Sequence, residues 1–349
     1  MELFIYLIIY FLTLWFIFFP KSISSGSFFI FWLFIAMCLS LIIRSSIGET
    51  ESADIDGYII NMSSIPGENV SFNYLLREFI FWFGIRFLYS ILGDGALVFV
   101  CLDFILYILI YKSFSLCRKA FYPQIDQKDI NYLFFAVLLF FPYVMGMHNT
   151  YRQILASTVF LVSIGLIGNR KPIKGYLTSL VAVFIHNASG MFLPLLMVTT
   201  KNKFFQYSSF LLIIPIVIFL TGVSDSSSGF IAREGSIEIG RTISYMYLII
   251  FALLYGALFS LELNAKKKEN SSLLGIFLIL LIIYSFSVSF VSSEQAQRIS
   301  FYVFSMLFPF LGYYCFIRFK PRILSSFIFF HLSLLPLILI FNTTIDVSL

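Results

Sequence analysis

Charge is scarce in this chain. Only 23 Lys and Arg and 18 Asp and Glu are spread over 349 residues, so charged residues make up 12% against roughly 25% in an ordinary soluble domain. That scarcity excludes a soluble globular enzyme, a charge-rich disordered chain and a nucleic-acid binder. Cysteine is scarce too, and unpatterned: Cys38, Cys101, Cys117 and Cys315 lie in apolar runs or at their ends, with no CxxC or Cys/His spacing. They read as small membrane hydrophobes, not metal ligands. A leader cleavage site is also missing after the first apolar run, and a second run begins within ten residues. The first run therefore reads as a retained helix.

What the chain does have is apolar length. AVILMFWYC residues make 60% of it, with 45 Phe and 20 Tyr. A crossing takes about 20 apolar residues. Ten stretches have the character of a full crossing: 3–19, 28–43, 95–113, 131–147, 151–168, 204–221, 242–262, 271–290, 299–317 and 324–342. Two more are ambiguous. Residues 72–92 carry Arg77, Glu78 and Arg86, charges that lipid penalises by a few kcal/mol each. Residues 175–199 are long enough to span, yet His186-Asn187-Ala188-Ser189-Gly190 sits at their middle. The expectation is an all-α, polytopic single membrane domain over 1–349, with about 10–12 transmembrane helices and one re-entrant or broken segment. An outer loop plus interfacial segment over 44–94 and a second outer loop over 222–241 complete the organisation.

Loop charge orients this array, because cytoplasmic loops collect Lys and Arg. If 72–92 stays at the interface and 175–199 enters and leaves on one side, one face holds 16 of the 23 basic residues, including all 12 lysines. Both termini then lie outside. The other seven, Arg44, Arg77, Arg86, Arg152, Arg233, Arg241 and Arg298, are all arginine. Topology alone does not select arginine, whereas gripping phosphate through paired hydrogen bonds does. The set is thus a candidate phosphate site. The plainer alternative is that each arginine pairs with an acid of the same face, among them Glu49, Glu51, Asp54, Asp56, Glu68, Glu78, Asp94 and Glu294.

Three short patterns converge on that face. His148, Tyr151, Arg152 and Gln153 open one span, His186 to Ser189 interrupt another, and Glu294 stands one turn before Arg298 at the start of a third. The run Tyr151-Arg152-Gln153, then Asn169-Arg170-Lys171, then Phe184-Ile185-His186-Asn187-Ala188-Ser189 resembles the EpsG-type, Wzy-type polysaccharide polymerases. Asp54-x-Asp56-Gly57-Tyr58 followed by Glu68, and the late Arg298-Ile299-Ser300-Phe301-Tyr302, are similar to that family as well. Asn187 departs from it, since a small residue or Ser is more usual there, and so does the dilute spacing of Glu294 and Arg298.

The resemblance implies an O-antigen or exopolysaccharide polymerase with a membrane-embedded, GT-C-like glycosyltransferase fold. It would sit in the bacterial inner membrane with its site facing the periplasm. Its substrates would be undecaprenyl-diphosphate-linked oligosaccharide repeat units as both donor and acceptor, in the lipid bilayer, with a chain-length regulator protein as a further candidate partner. No cofactor and no nucleic acid are expected. Negative charge develops on the departing pyrophosphate, so cations must hold it. Arginines are the first choice; Glu51 with Asp54 and Asp56 keeps a metal option open. A base must take the acceptor proton. The candidates are His186, Glu294, Asp54, Asp56 and Glu68, with His186 first because imidazole changes charge near neutral pH and Asn187 and Ser189 stand ready to orient a ring nitrogen. A flippase or transporter of the same lipid-linked sugars, and an O-antigen ligase, share most of these features. The absence of a visible internal repeat argues against the transporter.

Overall fold

In the computed structural model, the described residues are 2–19, 24–45, 53–63, 78–140, 150–200, 237–264, 271–290, 293–318 and scattered positions within 143–147, 202–211 and 323–334. They form helices α1 (Glu2–Phe18), α2 (Ser25–Ser45), α3 (Ala53–Ser63), α4 (Phe79–Leu92), α5 (Gly95–Phe121), α6 (Asn131–Leu139), α7 (Tyr151–Gly168) and α8 (Pro172–Ile185). Then come α9 (Leu195–Thr199), α10 (Ile237–Asn264), α11 (Ser271–Phe290) and α12 (Ser293–Arg318). The protein is an all-α polytopic membrane protein. Six of its described helices are long and apolar enough to cross a bilayer, and the stretches 6–18, 79–92 and 172–185 are shorter apolar helices. The expected crossing over 131–147 is interrupted: α6 stops at Leu139 and Phe140 is extended, two residues before Pro142. The expected spans 204–221 and 324–342 lie mostly outside the described residues.

Helix α7 is the axis of the fold, with fifteen of its 18 residues buried. Two glycines bring its neighbours close. A Cβ on Gly165 would lie 2.6 Å from Leu116 Cβ of α5, and one on Gly175 of α8 would lie 2.4 Å from Ile167 Cγ1 of α7. Small residues at such crossings are the usual means of packing helices in lipid, where no hydrophobic drive brings them together. Polar ties follow the close approach: Ser163 Oγ donates to Gly175 O at 2.7 Å, and Asn169 Nδ2 donates to Leu116 O at 2.8 Å.

These contacts define two ends of the bundle. One end holds the C-termini of α5 and α7 and the start of α8; Tyr122 packs its ring 5.5 Å from Tyr313 of α12 there, and Arg318 of α12 pairs with Glu262 of α10 at 2.8 Å. At the other end α7 begins, and Phe99 of α5 packs edge-on against Tyr151 at 5.4 Å. Both ends of α4 lie at that second end. Its N-cap residue Glu78 bonds Arg152, while Gly93, at φ 68°, turns the chain straight into α5. Fourteen residues rise about 21 Å, so α4 does not cross.

The ambiguous segment 175–199 resolves into a rise, a break and a return. Pro172 starts α8 at a position where its missing N–H costs nothing. At the top, His186 is extended (φ −151°, ψ 116°), and Asn187–Phe192 form a 3-10 turn. After Pro194 the short α9 descends, bringing Val198 against Gly275 early in α11. The segment therefore enters and leaves at the same end of the bundle, with His186 at its deepest point.

Candidate functional site

The break in 175–199 lifts His186 toward the start of α7, and α4 begins between them. Glu78, 3% exposed, joins the two. One carboxylate oxygen, Oε1, accepts from His186 Nδ1 and, at 3.3 Å, from the Asn187 backbone N–H; the other, Oε2, accepts from Arg152 Nη1. A single carboxylate therefore bridges the histidine and the arginine.

Aromatic rings enclose this trio. Tyr58 of α3 accepts from Arg152 Nε at 3.0 Å, and the guanidinium carbon lies 5.3 Å from the Tyr58 ring centre, 5.2 Å from Trp82 and 6.0 Å from Phe81. Planar guanidinium suits such ring faces better than an ammonium does. On the far side, the His186 ring lies parallel to Tyr302 of α12, 6.0 Å between centres and 13° apart, and Tyr302 shares a 3.0 Å hydrogen bond with Ser189 Oγ. The side chains keep a limited opening: 16% for Arg152 and 9% for His186 against 4% for Glu78. Burial alone would raise the pKa of Glu78, which precedes the non-crossing α4. His186 and Arg152 beside it, with the Asn187 amide, outweigh that and hold its carboxyl below the ordinary range.

Of the residues expected at the site, Arg152, His186 and Tyr58 are brought together here. Arg44 is not, and its expected role as a phosphate ligand needs correction. Its Nε and Nη2 bond both oxygens of Asp103 at 2.9 and 3.0 Å, its Nη1 donates to Met147 O at 3.0 Å, and it is 2% exposed. A guanidinium so closed has no edge to offer a ligand. Tyr151, of the run that opens α7, is likewise fully buried against Phe99 and 5.6 Å from the Arg44 guanidinium, closed to substrate. Gln153 is 8% exposed, inside the bundle. Arg86 donates from Nε to Asn61 O at 3.1 Å, which ties α4 to the end of α3. Arg298 is half-buried one turn before Tyr302 on α12.

The backbones of Asp54, Asp56, Arg241 and Glu294 are helical, but their side chains lie outside the described residues, as do Arg77, Glu68, His148 and Arg233 altogether. Among the described residues no three His, Cys, Asp or Glu side chains gather as a metal site. The orienting partner of His186 also differs from expectation: it is Glu78, while Ser189 turns to Tyr302. Sequence reasoning had Glu78 only among the acids available to arginines. The signal that could have singled it out is its solitude, since a lone carboxylate beside an apolar run must find a cation.

No curated protein and no solved structure matches this chain. The family described as the EpsG family matches residues 29–347, nearly the whole length, and the chain belongs to it.

Proposed function

We propose that this member of a polysaccharide-polymerase family is an O-antigen or exopolysaccharide polymerase. It would move a growing glycan from undecaprenyl diphosphate to a terminal sugar hydroxyl of a lipid-linked repeat unit. The observation that carries this reading is the adjacency of His186 and Arg152, joined by Glu78, partly exposed and flanked by aromatic rings at one end of a membrane bundle. In the proposed step the acceptor oxygen bonds to the anomeric carbon as the bond to the diphosphate oxygen breaks. That bond's electron pair leaves with the lipid diphosphate, and the hydroxyl proton passes to His186 Nε2. Arg152 supplies fixed positive charge beside the growing negative charge of the leaving group. Tyr58, Phe81, Trp82 and Tyr302 are themselves buried, and their rings hold the planes of Arg152 and His186 in place.

A periplasmic site is supported by charge. Arg118, Lys119, Lys171, Lys174 and Arg318 lie at the end of the bundle remote from His186, as expected for a cytoplasmic face. The remaining outer residues named above, Asp54, Asp56, Glu68, Arg86 and Arg298 among them, are proposed to line the approach of donor and acceptor. Purified protein incubated with a synthetic undecaprenyl-diphosphate repeat unit should yield a ladder of products, and His186→Ala should lose it at normal abundance, a fall of about 10²- to 10⁴-fold. Unchanged substrate that moves between leaflets of vesicles would instead establish a flippase, and transfer only to a lipid-core acceptor a ligase.

A further inference from the structure

Glu78 is a buried carboxylate at this site to which the reaction as written assigns no part. It neither reaches outward nor is spare: one oxygen faces the His186 imidazole at the break after α8, the other the Arg152 guanidinium of α7. A carboxylate on Nδ1 of a histidine fixes the ring's tautomer, because the proton must stay on the nitrogen that faces the anion. The lone pair then sits on Nε2, for which no hydrogen-bond partner occurs among the described residues. The Asn187 N–H on the same oxygen and the parallel Tyr302 ring restrict rotation of carboxylate and imidazole.

We propose that Glu78 is the positioning residue of the transfer reaction, holding His186 with its basic Nε2 toward the acceptor hydroxyl and tying Arg152 to it in fixed register. The inference rests on the reading of His186 as the base. During transfer the hydroxyl proton arrives on Nε2, giving an imidazolium whose Nδ1–H still faces the Glu78 anion. Glu78 takes no proton, and the new charge is met by one already in place. The proton later leaves Nε2 for water or for the released diphosphate. Among the described residues the charged and titratable groups around the ring are Glu78 at the N-cap of α4, Arg152 from α7, Tyr58 from α3, and Tyr302 with Arg298 a turn away from it on α12. Among the described residues Glu78 is the only anion of this group, so its removal has a defined sign: an imidazolium formed during transfer loses its counter-charge.

The pH profile of kcat/KM should therefore answer the question. In Glu78→Gln the rate should fall about 10²-fold or more, and the acid limb should move to lower pH. Glu78→Asp should bring the limb back toward its original position. Combining Glu78→Gln with His186→Ala should cost no more than His186→Ala alone, as for groups that act as a unit. A purely structural Glu78 would lower abundance without moving the limb. Since Glu78→Gln could fail to fold, nitrogen NMR of the full-length protein in detergent gives a second readout. The chain has only three histidines, and the signals lost in His186→Gln identify the ring. At the alkaline plateau of activity the wild-type ring should carry its proton on Nδ1; a proton on Nε2 overturns the proposal. A wild-type rate and an unmoved limb in Glu78→Gln, with His186→Ala inactive, would also overturn it while leaving the base assignment standing. Polymer made normally by His186→Ala would bring down the base assignment itself.

Discussion

At the scale of single residues, two candidate side chains of the sequence, His186 and Arg152, are joined in space through Glu78, and the reason they were legible is cost. A histidine in the middle of an apolar stretch and an arginine opening a helix are expensive unless used or paired, so each draws notice on its own. Arg44 drew the same notice and turned out to be closed on Asp103. An arginine in the last turn of a helix reads the same in sequence whether it points out of the bundle or into it, and only the lone Asp103 inside an apolar run hinted at the second. The geometry of Arg152 sharpens an expectation about its chemistry. Its Nη1 meets Glu78, its Nε meets Tyr58, and its plane lies among three aromatic rings. Lysine keeps the charge but has neither the fork nor the plane. Arg152→Lys should therefore lose polymerisation nearly as fully as Arg152→Ala, at near-normal membrane abundance, measured as glycan length per unit of protein. A fully active lysine variant would reduce Arg152 to a charge anchor.

At the scale of elements, apolar length found the helices but not their interruptions. Residues 131–147 and 175–199 are both long apolar stretches, and hydropathy does not register that α6 stops at Leu139 or that α8 gives way to a 3-10 turn at Asn187. Pro142 stands two residues past the first break, whereas the second is held by tertiary partners, Glu78 taking His186 and Tyr302 taking Ser189. The segment leading into α7 is held the same way. Arg44 of α2, Asp103 of α5 and the Met147 carbonyl form one buried knot, with Ser40 Oγ donating to Asp103 at 2.6 Å. Removing one partner of a buried pair strands the other charge and costs about 3–5 kcal/mol, whereas replacing both with apolar residues of similar volume is often neutral. Asp103→Ala should thus lower the melting temperature of detergent-solubilised protein sharply, and Arg44→Met with Asp103→Leu should restore it. Because the knot holds α7 without facing substrate, polymer made per folded molecule should be near wild type in the double variant. A double variant that folds normally yet makes no polymer would return Arg44 to the substrate site.

For the whole molecule, the most economical evidence of orientation is the separation of lysine from the site. Positive-inside sorting acts on short loops and says nothing of what an arginine does once it is placed, so sequence alone gave a two-faced protein without saying how deep the chemistry lies. The fold supplies that depth, with His186 and Arg152 near the start of α7 and the basic residues of α5, α8 and α12 at its other end. Ser45, exposed at the end of α2, follows Arg44 at the site end, and Ser271 opens α11 at the remote end. Single substitutions Ser45→Cys and Ser271→Cys, probed in intact cells with a membrane-impermeant maleimide, separate the two orientations. The native Cys38, Cys101, Cys117 and Cys315 lie inside α2, α5 and α12 and are buried or half-buried, so they should contribute little background, which the unsubstituted chain measures. Labelling of Ser45→Cys but not Ser271→Cys is expected. The reverse pattern would turn His186 and Arg152 to the cytoplasm, where lipid-linked units are not presented for polymerisation in the proposed scheme, and the reading of this protein as an outer-leaflet polymerase would fall with it.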